Sequence, residues 1–85
     1  MLHEAARLGR LEAARYLLEQ GADKDKANNY GQTPLHWAAY FEHFEVAMLL
    51  MSKGAHLSVR TKAGQLPIDM TQNEKIKQAI LDEPR

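Results

Sequence analysis

Apolar residues recur at helical spacing in short blocks, and polar turns separate the blocks. The clearest stretch is Gly31 to Gly54, GQTPLHWAAYFEHFEVAMLLMSKG, which reads as one complete unit. Thr33 is placed to act as an N-cap, and Pro34 follows at the first helical position, where a missing N–H costs nothing. Leu35, Ala38 and Ala39 then share one face, with side chains small enough for close approach to a neighbour. A break is required near Glu42–His43. A second apolar pattern runs through Val46, Ala47, Leu49 and Leu50. Lys53 suits the negative end of that helix, and Gly54 suits a left-handed stop.

The same pattern returns at a fixed interval. Leu2-His3 matches Leu35-His36, Ala5-Ala6 matches Ala38-Ala39, and Gly21-Ala22 matches Gly54-Ala55, each pair 33 residues apart. In the forward direction Gly31-Gln32 matches Gly64-Gln65, Pro34 matches Pro67, and Leu35 is answered by Ile68. A period of this length, built of a β-turn and two helices with T-P-L-H opening the first helix, is the ankyrin signature. The chain resembles the ankyrin-repeat family over nearly its whole length. The resemblance implies an all-α solenoid of stacked helix-turn-helix units joined by β-turn or hairpin connections. Residues 1–30 would form a partial first repeat, 31–63 a full repeat, and 64–85 a short C-terminal capping repeat.

The outer units depart from the middle one. In the first, Gly9 marks the break between helices, and Leu11 to Glu19 supplies a second helix with Ala13, Ala14, Leu17 and Leu18 on its apolar face. Gly21-Ala22-Asp23 is the exit, and Lys24 to Tyr30 is a polar, hairpin-like connection. In the third, Gln65 to Asp69 restarts a first helix, but Leu66 stands in place of the capping Thr and Asp69 in place of the His. Ile76, Ala79 and Ile80 resume a final helix, expected to begin about three residues early and to end at Asp82-Glu83-Pro84. A polar, shortened last unit suits a C-terminal cap. The N-terminus has no comparable cap, so Leu2, Ala5 and Ala6, with Leu8 nearby, are expected to be exposed and available to another copy. On this reading the chain is a piece of a longer array.

Composition narrows the function. Apolar residues make up 45% of the chain, enough for a core, and no apolar run approaches the ~20 residues of a membrane span. The opening MLHEAARLGR carries an early acid and no apolar block, so no signal peptide is expected. The absence of cysteine excludes disulfides and thiolate metal sites. Cytoplasm or nucleus is the expected location. Eleven basic and eleven acidic residues give zero formal charge, and they are interspersed. Without a basic block, neither nucleic acid nor an anionic membrane surface is an expected partner.

No residue set points to catalysis. His3-Glu4 begins like a zinc-protease motif, but Arg7 occupies the second ligand position. His3 and His36, one period apart, invite a two-histidine metal site; the preferred reading is that each bonds a Thr33-type hydroxyl and neighbouring loop backbone, as the resemblance implies. His43 would support the inter-helix loop, and His56 has no assigned role. No glycine-rich phosphate loop or G-x-S-x-G occurs. Neither metal nor cofactor is expected, and the chain is not expected to be an enzyme.

The aromatics say more. Phe44 and Trp37 read as core or half-core. Tyr30, Tyr40 and Phe41 fall where the resemblance puts the concave binding face, formed by turn tips and the ends of first helices. That face would include Asn29, Tyr30, Gln32, Tyr40 and Phe41, joined by Arg7, Leu8 and Gln20 from the first unit and Lys62, Ala63 and Gln65 from the third. Exposed aromatics beside Arg are typical interface anchors, although packing between repeats is an equal alternative for Phe41. Glu42 stands where the family has Gly in a left-handed conformation, a strain of about 1–2 kcal/mol. Asn28 and Thr61 replace Asp at the turn starts and can still accept local hydrogen bonds.

The expected function is recognition of a partner protein through the concave face. The alternatives are an assembly unit that self-associates through its first helix, and a regulatory appendage of an enzyme located elsewhere. About two and a half repeats lie below the practical minimum of about three. Stability should therefore lie at or below the low end of the ~5–15 kcal/mol typical of domains. A scanning-calorimetry midpoint independent of concentration and above about 80 °C would contradict that expectation.

Overall fold

The computed structural model describes residues 2–83. Met1 and Pro84, the latter expected to end the last helix, lie outside the described residues. The described elements are α1 (Leu2–Leu8), α2 (Leu11–Glu19), α3 (Pro34–Tyr40), α4 (Phe44–Ser52), a 3₁₀ turn (Pro67–Met70) and α5 (Glu74–Leu81). They form two rows. The inner row stacks α1 on α3 and α3 on the 3₁₀ turn; the outer row stacks α2 on α4 and α4 on α5. No strand forms among the described residues, and the connections are turns.

The 33-residue period appears in the hydrogen bonds as well as in the sequence. The N–H of Arg10 donates to the Ala5 carbonyl at 2.9 Å, and that of His43 to the Ala38 carbonyl at 2.8 Å. At the second-helix exits Ala22 donates to Leu17 at 2.9 Å, and Ala55 to Leu50 at 3.1 Å. These close the helix ends through the left-handed residues Gly21 and Gly54. Among the described residues seven of the fourteen buried apolar side chains are alanines, so the rows approach closely and no single core side chain dominates.

Three histidines bind neighbouring units together. His36 Nδ1 accepts from the Thr33 N–H at 3.1 Å, and the Thr33 hydroxyl accepts in return from the His36 N–H at 3.4 Å. This reciprocal pair caps α3 as a capping box. With Nδ1 accepting, Nε2 carries the proton and donates to the Gln65 carbonyl at 3.0 Å, in the next turn. His3 Nε2 makes the equivalent bond to the Gln32 carbonyl at 2.8 Å. His43 Nε2 reaches back to the Arg7 carbonyl at 3.0 Å. Its ring rests against Gly9, where an added Cβ would stand 2.5 Å from His43 Nδ1. The structural reading thus holds in full for His36, which meets both Thr33 and the Gln65 carbonyl, and in part for His3, which meets the Gln32 carbonyl. Among the described residues no group of three or more His, Cys, Asp or Glu is placed to hold a metal ion.

Several expectations need correction. Leu2, Ala5 and Ala6 are buried, with 5% or less of their surface exposed, because α3 and α2 cover α1 within the same chain. Leu8, at 43%, is the exposed apolar residue of that helix. Ala13 is exposed on the outer flank of α2 rather than on its buried face. Phe44 is exposed as well, since α4 turns Val46, Ala47 and Leu50 inward and leaves Phe44 and Met48 outside. The third first helix is reduced to the 3₁₀ turn. Leu66 has no hydroxyl to hold a first turn open to α geometry, and the Asp69 carboxylate instead accepts from the Leu66 N–H at 3.0 Å. The last helix does start early, at Glu74 rather than 77, because the Asn73 side chain caps it by accepting from the N–H groups of Lys75 and Ile76.

Glu42 has φ +60°, one period after Gly9 at φ +70°. Glu42→Gly should raise stability by about 1 kcal/mol by relieving the left-handed strain, read as a higher urea midpoint at unchanged slope. Gly9→Ala should lower the midpoint, because its Cβ would displace the His43 ring. An unchanged midpoint for Glu42→Gly would mean that the loop relaxes at no cost.

Burial holds the His36 imidazole below its ordinary pKa of 6.5, against the opposing pull of the Gln65 and Val59 carbonyls. The unfolded chain then takes up a proton that the folded chain resists, so stability should fall as pH drops below about 6.5. Urea melts between pH 7.5 and 5.5 should show a falling midpoint. His36→Gln should flatten that dependence; an equal slope in the variant would place the proton elsewhere.

Candidate functional site

The turn preceding α3 is built by one side chain. Asn28 Oδ1 accepts from the N–H groups of Tyr30 and Gln32, both at 2.9 Å, while the Gly31 N–H closes on the Asn28 carbonyl at 2.9 Å. One period on, Thr61 Oγ1 accepts from Ala63 and Gln65 at 3.2 Å, and Gly64 closes on the Thr61 carbonyl at 2.8 Å. The replacements for Asp at these positions thus keep the acceptor role. The two tips are joined where the Lys62 N–H donates to the Tyr30 carbonyl at 2.9 Å. Gly31 permits this approach: a Cβ there would meet the Lys62 nitrogen at 3.0 Å and Thr61 Cα at 3.2 Å.

Beside these tips, between α3 and the 3₁₀ turn, lies a groove of about 590 Å³. Gln32, Trp37, Tyr40, Phe41, Gln65, Asp69, Met70 and Gln72 line it. A smaller depression lined by Tyr30, Gln32, Thr61, Lys62, Ala63 and Gln65 shares Gln32 and Gln65 with it. The two make one track from the turn tips to the end of α3. Tyr30 is 70% exposed, Tyr40 58% and Phe41 39%. Phe41 is also packed locally, stacked on Trp37 with ring centroids 5.6 Å apart and meeting Tyr40 edge-on at 4.9 Å. The packing reading of Phe41 thus holds on one side of the ring, and the other side is open to solvent.

Of the residues expected at the binding face, Tyr30, Gln32, Tyr40, Phe41, Lys62, Ala63 and Gln65 therefore meet along one track. Arg7, Leu8, Asn29 and Gln20 do not line it. Arg7 is engaged in an ion pair with Glu4, whose carboxyl is held below its usual range by that hydrogen bond. Asn29 is exposed at the first turn, and Gln20 ends α2. Trp37, Thr61, Asp69, Met70 and Gln72 are the lining residues that sequence reasoning missed. Trp37 and Met70 stand one period apart, so the repeat itself could have paired them. The Trp37 indole N–H is buried without an acceptor among the described residues, a penalty of about 1–3 kcal/mol.

Among the described residues no helix is long and apolar enough to cross a membrane. The family model described as "Ankyrin repeats (3 copies)" matches residues 1–61. Among curated proteins, an ankyrin and IPT/TIG repeat-containing protein of Schizosaccharomyces pombe is 36% identical over 77 residues, covering 91% of this chain and 7% of that protein. Ankyrin repeat domain-containing protein 40 of Homo sapiens is 35% identical over 80 residues, covering 93% of this chain and 22% of its own length. Protein phosphatase 1 regulatory subunit 27 of Homo sapiens is 38% identical over 69 residues, 81% of this chain and 45% of that protein. The chain thus spans less than half the length of each of these relatives. The stacked helix pairs, the cross-repeat histidine bonds and the matched profile agree: this chain belongs to the ankyrin-repeat family.

Proposed function

We propose that the chain is a protein-recognition module that binds a partner protein through the track running from Tyr30 and Lys62 to Tyr40 and Phe41. Ankyrin repeats in general mediate protein–protein interaction, and this reading assigns the contact to particular residues. The module would comprise a partial repeat at 1–30, a full repeat at 31–63 and a short cap at 64–85. The observation that carries the proposal is the exposure of three aromatic rings along two adjoining depressions that share Gln32 and Gln65. Large rings left open to water on a rigid frame supply contact area at little conformational cost. The frame itself is occupied, since the turn carbonyls of Gln32 and Gln65 already accept from histidines. What the track offers a partner is its side chains.

Self-association through α1 loses its basis with the burial of Leu2, Ala5 and Ala6. The regulatory-appendage reading draws support from the likeness to a phosphatase regulatory subunit, and it is compatible with the same binding track.

Tyr30→Ala combined with Tyr40→Ala tests the assignment. A protein captured from extract by the immobilised wild-type chain should be lost or weakened at least tenfold by the double variant. Circular dichroism should show the helices unchanged, since both side chains are exposed. Undiminished capture by the folded variant would move the binding surface elsewhere.

A further inference from the structure

Zero formal charge conceals a local asymmetry. From Val46 to Ile68 the sequence contains Lys53, Arg60 and Lys62 and no acidic residue. The fold brings two of these cations to the tip of the second turn. Lys62 lines the track beside Tyr30, and Arg60 Nη1 donates to the Gly64 carbonyl at 2.8 Å, which sets its guanidinium against the same tip. Neither cation is ion-paired among the described residues, in contrast to Arg7, Arg15 and Lys24. The Asp69 carboxylate lies close behind this tip, held by the Leu66 N–H at 3.0 Å. Beyond it the groove is lined by Trp37, Phe41 and Met70, an apolar wall.

We infer that the track takes an extended segment of a partner protein with a fixed polarity, its acidic residue at the Arg60–Lys62 tip and its large apolar side chain in the groove of Trp37, Phe41 and Met70. The inference rests on the recognition role proposed above and names the chemistry of the partner. Opposite charge at the tip is favourable, whereas a carboxylate placed against the apolar wall would lose water without gaining a partner, so tip and wall together set the direction of the segment. The apolar side chain supplies affinity by displacing water from the aromatic wall. Gln32, Gln65 and Gln72 line the path and can meet an extended backbone through their side-chain amides. Gln32 Oε1 already accepts from Asn28 Nδ2 at 2.9 Å, which leaves its NH₂ as the donor.

The test is selection of a random 12-residue phage-displayed peptide library on the intact chain, followed by fluorescence anisotropy with the enriched peptides made synthetically. Enriched sequences should carry Asp or Glu a few positions from a large apolar residue. Exchanging the acids for Lys should weaken binding to the wild-type chain at least tenfold, a test that needs no protein variant. Arg60→Glu with Lys62→Glu should produce a similar loss with unchanged circular dichroism, and Trp37 emission should shift on binding. Failure to enrich any peptide, enrichment without acids, or indifference to the charge exchange would overturn the inference. Tyr30→Ala with Tyr40→Ala separates the two levels. Acid-free peptides that are lost in that variant leave the track as the binding face and remove only the acid–apolar polarity. Peptides indifferent to it remove both.

Discussion

The structure depends on one bond made twice: an imidazole N–H of one unit donated to the turn carbonyl of the next. His36 reaches Gln65 and His3 reaches Gln32, each across 29 residues. The bond is directional in a way that alanine packing is not. A core of small side chains permits sliding between layers, and the fixed carbonyl removes that freedom. His36 also closes the start of α3 through Thr33, so capping and stacking share a single side chain. That economy explains why the neutral imidazole matters. A proton on Nδ1 would face the Thr33 N–H and break the cap that orients the ring.

From this coupling follows the form of the site. Each histidine occupies a turn carbonyl, Asn28 and Thr61 occupy the turn N–H groups, and the two tips bond to each other. A backbone so fully used cannot rearrange to meet a partner without breaking the stack. Its exposed side chains carry none of these bonds. Tyr30, Tyr40 and Lys62 can change without touching the histidine network, which is how one scaffold can serve unrelated partners.

Much of the fold was legible because the period writes each element more than once. Leu35, Ala38 and Ala39 are ambiguous alone, and Leu2, Ala5 and Ala6 one period earlier remove the ambiguity. The left-handed residue at Glu42 was legible through the resemblance, which puts Gly at that position. Position by position, the part of the track formed by Tyr30, Gln32, Tyr40, Phe41, Lys62, Ala63 and Gln65 could also be placed. Burial was less legible. Whether Leu2 and Ala6 face water depends on how completely α2 and α3 cover α1, a matter of three-dimensional closeness that helical spacing does not encode. Phe44 misled for a related reason. A helix apolar on nearly every side does not announce which residues it leaves outside.

The third unit shows how a single missing hydroxyl reaches the aromatic groove. Thr33 holds its first turn through an oxygen, and α3 runs a full seven residues to Tyr40. Leu66 offers no such oxygen, Asp69 reaches back in place of the histidine, and the element stops at Met70 as a 3₁₀ turn. Without a full-length helix there, the side of α3 carrying Trp37 and Phe41 is left partly uncovered, and the groove occupies that space. The shortened third unit is therefore also what opens the aromatic wall. Restoring a complete first helix in the third unit would be expected to close the groove even as it extended the core, so in this chain the length of the third unit and the groove are coupled through the same few residues.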